Sequence, residues 1–490
     1  MTSFLKKFMS GKKEMPKGTL APLRFHNTYS NEVEVFSPLT PGVVKMYNCG
    51  PTVYGTQHIG NMRAAVFADT LRRVLEAWGF KVKQVINITD FGHLTSDADE
   101  GEDKMSQGLK REGLALNLEN MKVLAERYTQ EYFDDLDMLG VDRKKIQFPR
   151  ASEYVGQQIA LIKALVEKAF AYQTQDGVYY DVSRFPAYGK LGNINLSGLK
   201  EGARVEANSH KKGPFDFILW KSDASLGWTS PWGMGFPGWH IECTAMIFTL
   251  LGKQIDIHTG GIEHIPVHHQ NEIAQAEAAS GKKFVKYWLH NDHLTIEGKK
   301  ISKSLGNTVY LHNIIDRGYS AHALRLWMLG GHYRSPMNFT WDAIEGANTA
   351  LNKLTRYFFE ELGKVKESEP NAKFVADFTS ALADDLNTPV ALARMWDLLK
   401  DDTVSPESKK ASLLYVDHIL ALGFTAAGAA KKIAVIETDD LPEEVQVLVK
   451  ERADARDAKD FAKSDELRAK IEALGYNVKD SADGAQITKK

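Results

Sequence analysis

The sequence predicts an α/β protein with a parallel sheet, on three observations. Strand, helix and strand follow one another between residues 43 and 88, residues 347–422 are predominantly helical, and residues 441–474 form a further charged helical stretch that ends at Gly475. Strand, helix and strand in so short a span make a βαβ unit, whose strands lie parallel. A chain of 490 residues exceeds one compact core, so three or more domains are expected.

Taken in order, residues 1–20 carry five lysines and few large apolar groups, and read as a solvated basic tail. Val43 to Tyr47 reads as a strand, followed by a Gly/Pro-rich loop from Cys49 to Thr52. Residues 61–78 show helical periodicity, with Met62, Ala65, Val66, Leu71, Val74, Leu75 and Trp78 on the apolar side and Gly79 as the stop. Lys81 to Ile88 alternates and reads as the next strand. His58 falls at the helix start, where free backbone N–H groups and the helix dipole attract phosphate. Residues 95–105 form an acidic loop that fails as a calcium-binding loop, because its glycine comes one place early. Helices are expected to about residue 170, an irregular stretch with strand character to about 215, a helix over 268–279, and strand-like runs over 284–298. Residues 476–490 read as a short hairpin or extended tail.

The totals bound the function. Hydrophobic residues at 43% and charged residues at 25% describe an ordinary soluble protein, and no apolar run reaches membrane-spanning length. The start lacks the apolar core of a secretory signal, and two cysteines in so long a chain suit a reducing compartment, so a cytoplasmic place is expected. Lys+Arg 61 against Asp+Glu 63 gives a formal charge of −2, which announces no nucleic-acid binder but leaves room for a local basic face.

Two short signatures carry phosphate chemistry. Gly233 to Gly238 matches a dinucleotide fingerprint in form, but no strand is read ahead of it and Pro237 sits where a helix should begin, so a loop is expected there. No phosphate-loop lysine motif is present. His58-Ile59-Gly60-Asn61 and Lys300-Ile301-Ser302-Lys303-Ser304 are each weak alone, as a helix cap and as an exposed basic loop. Together and in this order, the first inside a βαβ unit, they describe a triphosphate site whose lysines neutralise charge developing on a leaving pyrophosphate. A third group is Cys49, Cys243, His268 and Glu272. Residues 268 and 272 share a helix face, and two thiolates, an imidazole and a carboxylate suit zinc. Buried apolar cysteines with capping histidines, or a Cys49–Cys243 disulfide, are the competing readings.

The run from Tyr47 to Tyr54, His58 to Asn61, Asn87 to Asp90, Gly238 to Cys243, His268 to Glu272 and Lys300 to Asn307 together resemble the class I aminoacyl-tRNA synthetases, and in detail the cysteinyl-tRNA synthetases. Gly331 to Ser335 and Asp384 to Pro389 fit as well, so the resemblance runs from about residue 22 to the end. It implies a Rossmann-like parallel-sheet catalytic domain with an inserted connective domain, then a helical bundle and a small C-terminal anticodon-binding domain. The implied division is a tail over 1–21, the first catalytic half over 22–140, an inserted region over 141–215 and the second half over 216–290. The second signature's loop with a stem-contact region then covers 291–345, the bundle 346–435 and the anticodon domain 436–490.

The resemblance further implies ATP-dependent activation of L-cysteine to cysteinyl-adenylate and its transfer to the 3′ end of tRNA(Cys). It implies one zinc ion on Cys49, Cys243, His268 and Glu272 that binds the substrate thiol, and magnesium with ATP. His58, Gly60, Asn61 and Lys303 would hold ATP, with His58, Asn61, Lys300 and Lys303 acting in catalysis, and Gly50, Thr89 and Trp239 would line the amino-acid pocket. Glu263 stands at the ribose position usually held by aspartate. Residues 91–104 form a longer loop than is usual, and Ile487 stands where the family tends to carry an aromatic. The partners implied are tRNA, ATP and L-cysteine, with a monomer expected and no membrane. A cysteine:aminosugar ligase and a non-catalytic sensor are the alternatives. The C-terminal helices argue against the first, and the intact ligand set and lysines against the second.

Overall fold

The computed structural model describes residues 20–91, 104–194, 210–301, 306–366, 368–426, 435–436, 438, 441–458, 460–481 and 484–489. Most of the basic tail, most of the acidic loop and Lys303 therefore lie outside the described residues.

An antiparallel hairpin comes first, β1 (Arg24–Asn27) with β2 (Glu32–Val35). Strand β3 (Val43–Asn48), helix α1 (Ile59–Ala77) and strand β4 (Lys81–Ile86) then form the expected βαβ unit, with β3 and β4 paired in parallel register from Val43–Lys81 to Asn48–Ile86. Helix α1 buries Met62, Val66, Leu71, Val74 and Leu75, the stripe read from the sequence. It starts two residues earlier than the apolar pattern suggested, because His58 caps it. Helices α2 (Lys104–Arg111) and α3 (Leu118–Met138) lead to the short strand β5 (Ile146–Gln147), which adds to β4 in parallel, and to α4 (Val155–Glu167).

A second sheet follows. Strands β6 (Ala171–Gln173), β7 (Gly177–Tyr180), β8 (Phe217–Ser222), β9 (Trp228–Ser230) and β10 (Gly233–Pro237) pair antiparallel in the order β6-β7-β8-β10-β9. Two expectations change here. Residues 233–237, read as a loop, form a strand, and the inserted sheet continues past residue 215 to Pro237. The strand was hidden by its glycines, which serve close approach: a Cβ on Gly235 would lie 2.0 Å from the Lys221 carbonyl oxygen of the paired strand.

Helix α5 (Trp239–Leu250) returns the chain to the first sheet through β11 (Ile255–Gly261), α6 (His268–Ser280) and β12 (Val285–Asn291). The completed sheet is parallel throughout, in the order β12-β11-β3-β4-β5. The chain grows outward from β3 on one side and from β11 on the other, so the switch point lies between β3 and β11. Ligands bind beyond the carboxyl ends of strands at such a point. Cys49, the first residue past β3, donates its N–H to the Thr259 carbonyl of β11 at 3.0 Å.

A small sheet of order β14-β13-β15 comes next, from β13 (Leu294–Ile296), β14 (Lys299–Lys300) and, after helices α7 (Leu311–Asp316) and α8 (Ala321–Leu329), β15 (Met337–Phe339). Four helices follow: α9 (Trp341–Arg356), α10 (Ala372–Ala383), α11 (Thr388–Lys400) and α12 (Pro406–Leu420). Their apolar faces join α1 in one buried cluster that includes Leu71, Val74, Leu382, Met395, Ile419 and Leu420. A second cluster lies between the antiparallel sheet and α4, α5 and α6. The C-terminal unit comprises β16 (Val435–Ile436), α13 (Glu443–Asp457), α14 (Phe461–Ala473) and the hairpin of β17 (Tyr476–Ser481) with β18 (Gly484–Lys489). Its separate core contains Leu441, Val445, Val449, Ile471, Val478 and Ile487. The helical stretch at 441–474 is thus two helices, the second capped by Asp460, whose carboxylate accepts the Lys463 N–H at 3.1 Å. Among the described residues no helix is long and apolar enough to cross a membrane.

Candidate metal and nucleotide site

Cys49, Cys243, His268 and Glu272 converge although three segments supply them. Cys49 follows β3, Cys243 lies in α5, and His268 and Glu272 occupy the first turn of α6. Their ligand atoms all lie within 4.8 Å of one another, and both cysteines are free thiols, which removes the disulfide reading. His268 Nε2 lies 3.7 Å from Cys243 Sγ, close to the separation of about 3.6 Å that tetrahedral zinc imposes on an N,S pair. The same Nε2 lies 2.9 Å from Glu272 Oε1, yet that oxygen has no hydrogen-bond partner. Buried nitrogen, sulfur and carboxylate donors that converge in this way can share one cation. The donor chemistry and the orphaned oxygen fit zinc.

A hydrogen bond from the Cys49 thiol, helped by His268, holds Cys243 down to about 6. Cys49 keeps the shared proton and is pushed well up by that bond and by burial. Burial opposes charge on His268 and Glu272, but the charge of the Glu272 carboxylate and the neighbouring Cys243 sulfur raise His268 to about 10, and His258 and His268 bring Glu272 down to about 2. Within the group Cys243 and Glu272 favour the anionic form, and Cys49 keeps its proton.

Around the four lies a shell of buried histidines. His258 Nε2 contacts Glu272 Oε2 at 2.9 Å, and His240 Nδ1 contacts His268 Nδ1 at 2.8 Å. His269 Nε2 lies 3.4 Å from Cys49 Sγ, its Nδ1 lies 2.7 Å from His290 Nε2, and His290 Nδ1 lies 2.7 Å from Thr28 Oγ1. His258 stacks on Trp288, with ring centroids 4.7 Å apart. Burial pushes His240, His269 and His290 well below the usual imidazole range, so they are neutral. Cys49, His258, His269 and Glu272 make a second group with metal-ligand spacing. The first group would bring both sulfurs to one ion and leave His258 and His269 behind Glu272 and Cys49.

The residues expected to line an amino-acid pocket are continuous with this centre. Trp239, half-buried at the start of α5, packs on His268 with ring centroids 4.3 Å apart. Gly50 donates its N–H to Asn87 Oδ1 at 2.8 Å, and Asn87 Nδ2 donates to Thr89 Oγ1 at 3.2 Å. Thr89 in turn donates to Glu242 Oε2 at 2.9 Å. Only glycine suits position 50, where a Cβ would lie 1.7 Å from the Asn87 carbonyl oxygen. Glu242, fully buried beside Cys243, is held well up by burial and keeps its proton.

The two nucleotide signatures also meet. His58 is the N-cap of α1: its Nδ1 accepts the Gly60 N–H at 3.1 Å, and Asn61 Oδ1 accepts the His58 N–H at 3.2 Å. A neutral His58 with Nδ1 accepting carries its proton on Nε2. Ile59 donates its N–H to the Val309 carbonyl at 3.0 Å, and Ile301 lies against Gly60. Lys300 is exposed on β14, and Lys303 lies outside the described residues. Glu263 is exposed just past β11, its Oε2 3.8 Å from His293 Nδ1. Sequence reasoning missed His240, His258, His290 and Glu242, whose partners come from distant segments. The density of histidine over 258–290 signalled His258 and His290, and the Gly238 to Cys243 run contained His240 and Glu242 without a role for either.

Comparison with known proteins follows this geometry. The family described as tRNA synthetases class I (C) catalytic domain matches residues 35–349, and the Cysteinyl-tRNA ligase anticodon binding domain matches residues 438–487. The chain is 43% identical over 472 residues to Cysteine--tRNA ligase 1 of Burkholderia lata, covering 95% of this chain and 97% of that protein. It is 40% identical to the Cysteine--tRNA ligase of Treponema denticola, covering 94% and 98%, and 41% identical to that of Thermus thermophilus, also covering 94% and 98%. Among solved structures, Mycobacterium tuberculosis methionyl-tRNA synthetase in complex with methionyl-adenylate aligns with a TM-score of 0.54 at 12% identity, covering 79% of this chain and 92% of that one, a likeness of fold.

Proposed function

The chain belongs to the cysteine–tRNA ligases of the class I tRNA synthetases, which charge tRNA with cysteine, and we propose that it does so by selecting the substrate thiol at a zinc centre held by Cys49, Cys243, His268 and Glu272. The observation that carries this reading is the convergence of those four ligand atoms in a buried pocket beside Trp239. A zinc ion bound there supplies a soft position that takes a thiolate in preference to a hydroxyl. Serine differs from cysteine by one atom, and an apolar pocket separates such pairs poorly.

The chain's own residues do the rest. Trp239, Gly50 and Thr89 wall the amino acid, with Thr89 oriented by protonated Glu242 and by Asn87. The cysteine carboxylate attacks the α-phosphate of ATP, and pyrophosphate leaves. His58 offers Nε2–H to a phosphate oxygen at the positive end of α1, and Asn61 fixes the cap that aims it. Lys300 and Lys303 neutralise the departing pyrophosphate, magnesium accompanies ATP, and Glu263 takes the ribose. The 3′-terminal ribose hydroxyl of tRNA then attacks the adenylate and releases AMP. The domain division given by the sequence, with the inserted region extended to Pro237, the monomeric state and the cytoplasmic place belong to the same proposal.

Cysteine-dependent ATP–pyrophosphate exchange, run beside serine, tests it. Exchange with cysteine, and exchange slower by about a hundredfold or more with serine, are expected. Equal rates with the two amino acids would refute thiol selection.

A further inference from the structure

We propose that Arg63 is a positioning residue that sets the Lys300-bearing sheet against the His58 helix for adenylate formation, an inference that rests on the reading of the site given above. Arg63 lies on α1, in the turn after the His58 cap, and is 3% exposed. Its guanidinium binds five backbone carbonyls. Nη1 donates to Asp292 O at 2.9 Å and His293 O at 2.8 Å. Nη2 donates to His332 O at 3.2 Å, Tyr333 O at 3.3 Å and Ser335 O at 2.6 Å. Among the described residues no carboxylate forms a salt bridge with it, so a buried charge is spent on holding two chain segments.

Those segments are the roots of the small sheet. Asp292 and His293 join β12 to β13, and residues 332–335 lead into β15. They also hold each other: Asp292 N–H donates to Tyr333 O at 2.9 Å, and Met337 N–H to His293 O at 3.1 Å. β13 pairs with β15 on one side and, through Thr295–Lys300, with β14 on the other. Lys300 therefore hangs from a sheet whose base is fastened to α1 by the Arg63 guanidinium, with Phe67 of the same helix stacked on Tyr333 beside it. From the helical bundle, Asp385 grips the same loop, accepting from Tyr333 Oη at 2.6 Å and Arg334 Nε at 2.7 Å. The far end of the signature loop meets α1 again, where Ile59 N–H reaches Val309 O and Ile301 lies over Gly60. One helix thus carries both the phosphate-binding N-terminus and the anchor of the lysine that must meet the same phosphates.

Arginine suits this task because its rigid fork of donors spans two segments, whereas a lysine ammonium is a point donor on a flexible stem. A small misplacement of a charged group at a transferring phosphate is costly in rate.

The test is ATP–pyrophosphate exchange by full-length Arg63→Lys and Arg63→Gln, with Val74→Ala at the far end of α1 as a core-destabilised control. The expected result is a fall in kcat of about tenfold or more for both Arg63 variants, KM for cysteine within about twofold of the parent, and undiminished zinc content. Val74→Ala should lower Tm and leave kcat within about twofold. The proposal is overturned if Arg63→Lys keeps the parent kcat, if kcat falls only in step with Tm as in Val74→Ala, or if neither Arg63 variant folds. A parent chain without cysteine-dependent exchange refutes the reading of the site itself and this inference with it. An active parent with an unimpaired Arg63→Lys refutes the inference alone.

Discussion

Glu272 has no exposed side-chain surface, and its two oxygens face two different histidines, His268 and His258. A carboxylate so placed keeps its charge only with a cationic partner, and the histidines behind the site set how it is aimed. Replacing His258 with Phe should therefore lower zinc affinity by about 10–100-fold in chelator competition, although His258 is not among the four first ligands. An unchanged affinity would count against its orienting role. Asp135 gives a pH prediction far from the site. Burial, with Glu131 and Asp134 adding repulsion, pushes its carboxyl up to about 7. An acid raised on folding binds its proton more tightly in the folded chain. Stability therefore falls as pH rises from the unfolded value of about 3.9 to about 7, and stays lower above that. Asp135→Asn should raise Tm at about pH 8 and give no gain at about pH 4. A gain at both values would show that charge is not the cause. Cys49, Cys243, His268 and Glu272 were legible in the sequence because rare, chemistry-bearing residue types stood in recognisable surroundings. Arg63 and His258 were not, because an arginine in an amphipathic helix and a histidine in an apolar strand acquire meaning only from segments folded against them.

Helix α1 joins the two halves of the molecule. Asp69 on its buried side bonds Arg72, accepts from Arg73 Nε at 2.7 Å and accepts from Arg325 Nη2 of α8 at 2.6 Å. Arg325 continues to the carbonyls of Leu420 at 2.7 Å and Leu139 at 3.1 Å, the ends of α12 and α3. Burial opposes the Asp69 charge, and the three guanidinium groups nonetheless hold its carboxyl well below the usual range. A depressed acid contributes stability above its unfolded pKa of about 3.9 and loses it as pH falls through the folded value. Asp69→Asn should destabilise by about 3–5 kcal/mol near neutral pH and by less in strong acid, read from denaturant melts. A constant difference across that range would contradict the ion-pair account. Among elements, the βαβ unit at 43–86, α6 and the helical character of 347–422 follow from periodicity, whereas the division of that stretch into separate helices and the choice of a hairpin over an extended tail at 476–490 came only with the structure. Strand β10 did not follow from periodicity either, because Gly233 and Gly235 erase the side-chain alternation that marks a strand. The break between α13 and α14 was also missed, since Asp460 reads as one more charge in a charged run until its carboxylate is seen capping Lys463.

At the scale of the whole chain, the C-terminal unit has its own core, and its helix α14 packs on α13 and on β17. Ending the chain after residue 426 should leave cysteine-dependent exchange within about twofold while lowering kcat/KM for tRNA charging by about tenfold or more. Equal losses in both reactions would show that the unit supports the catalytic fold instead of engaging tRNA. The proposed choice of amino acid rests on one buried centre, and zinc analysis coupled to exchange kinetics tests it most directly. The full-length protein should carry about one zinc per chain, and Cys243→Ala should lose both the metal and about a hundredfold or more of its cysteine-dependent exchange. A chain that is fully active with cysteine, rejects serine and contains no bound metal would contradict the account.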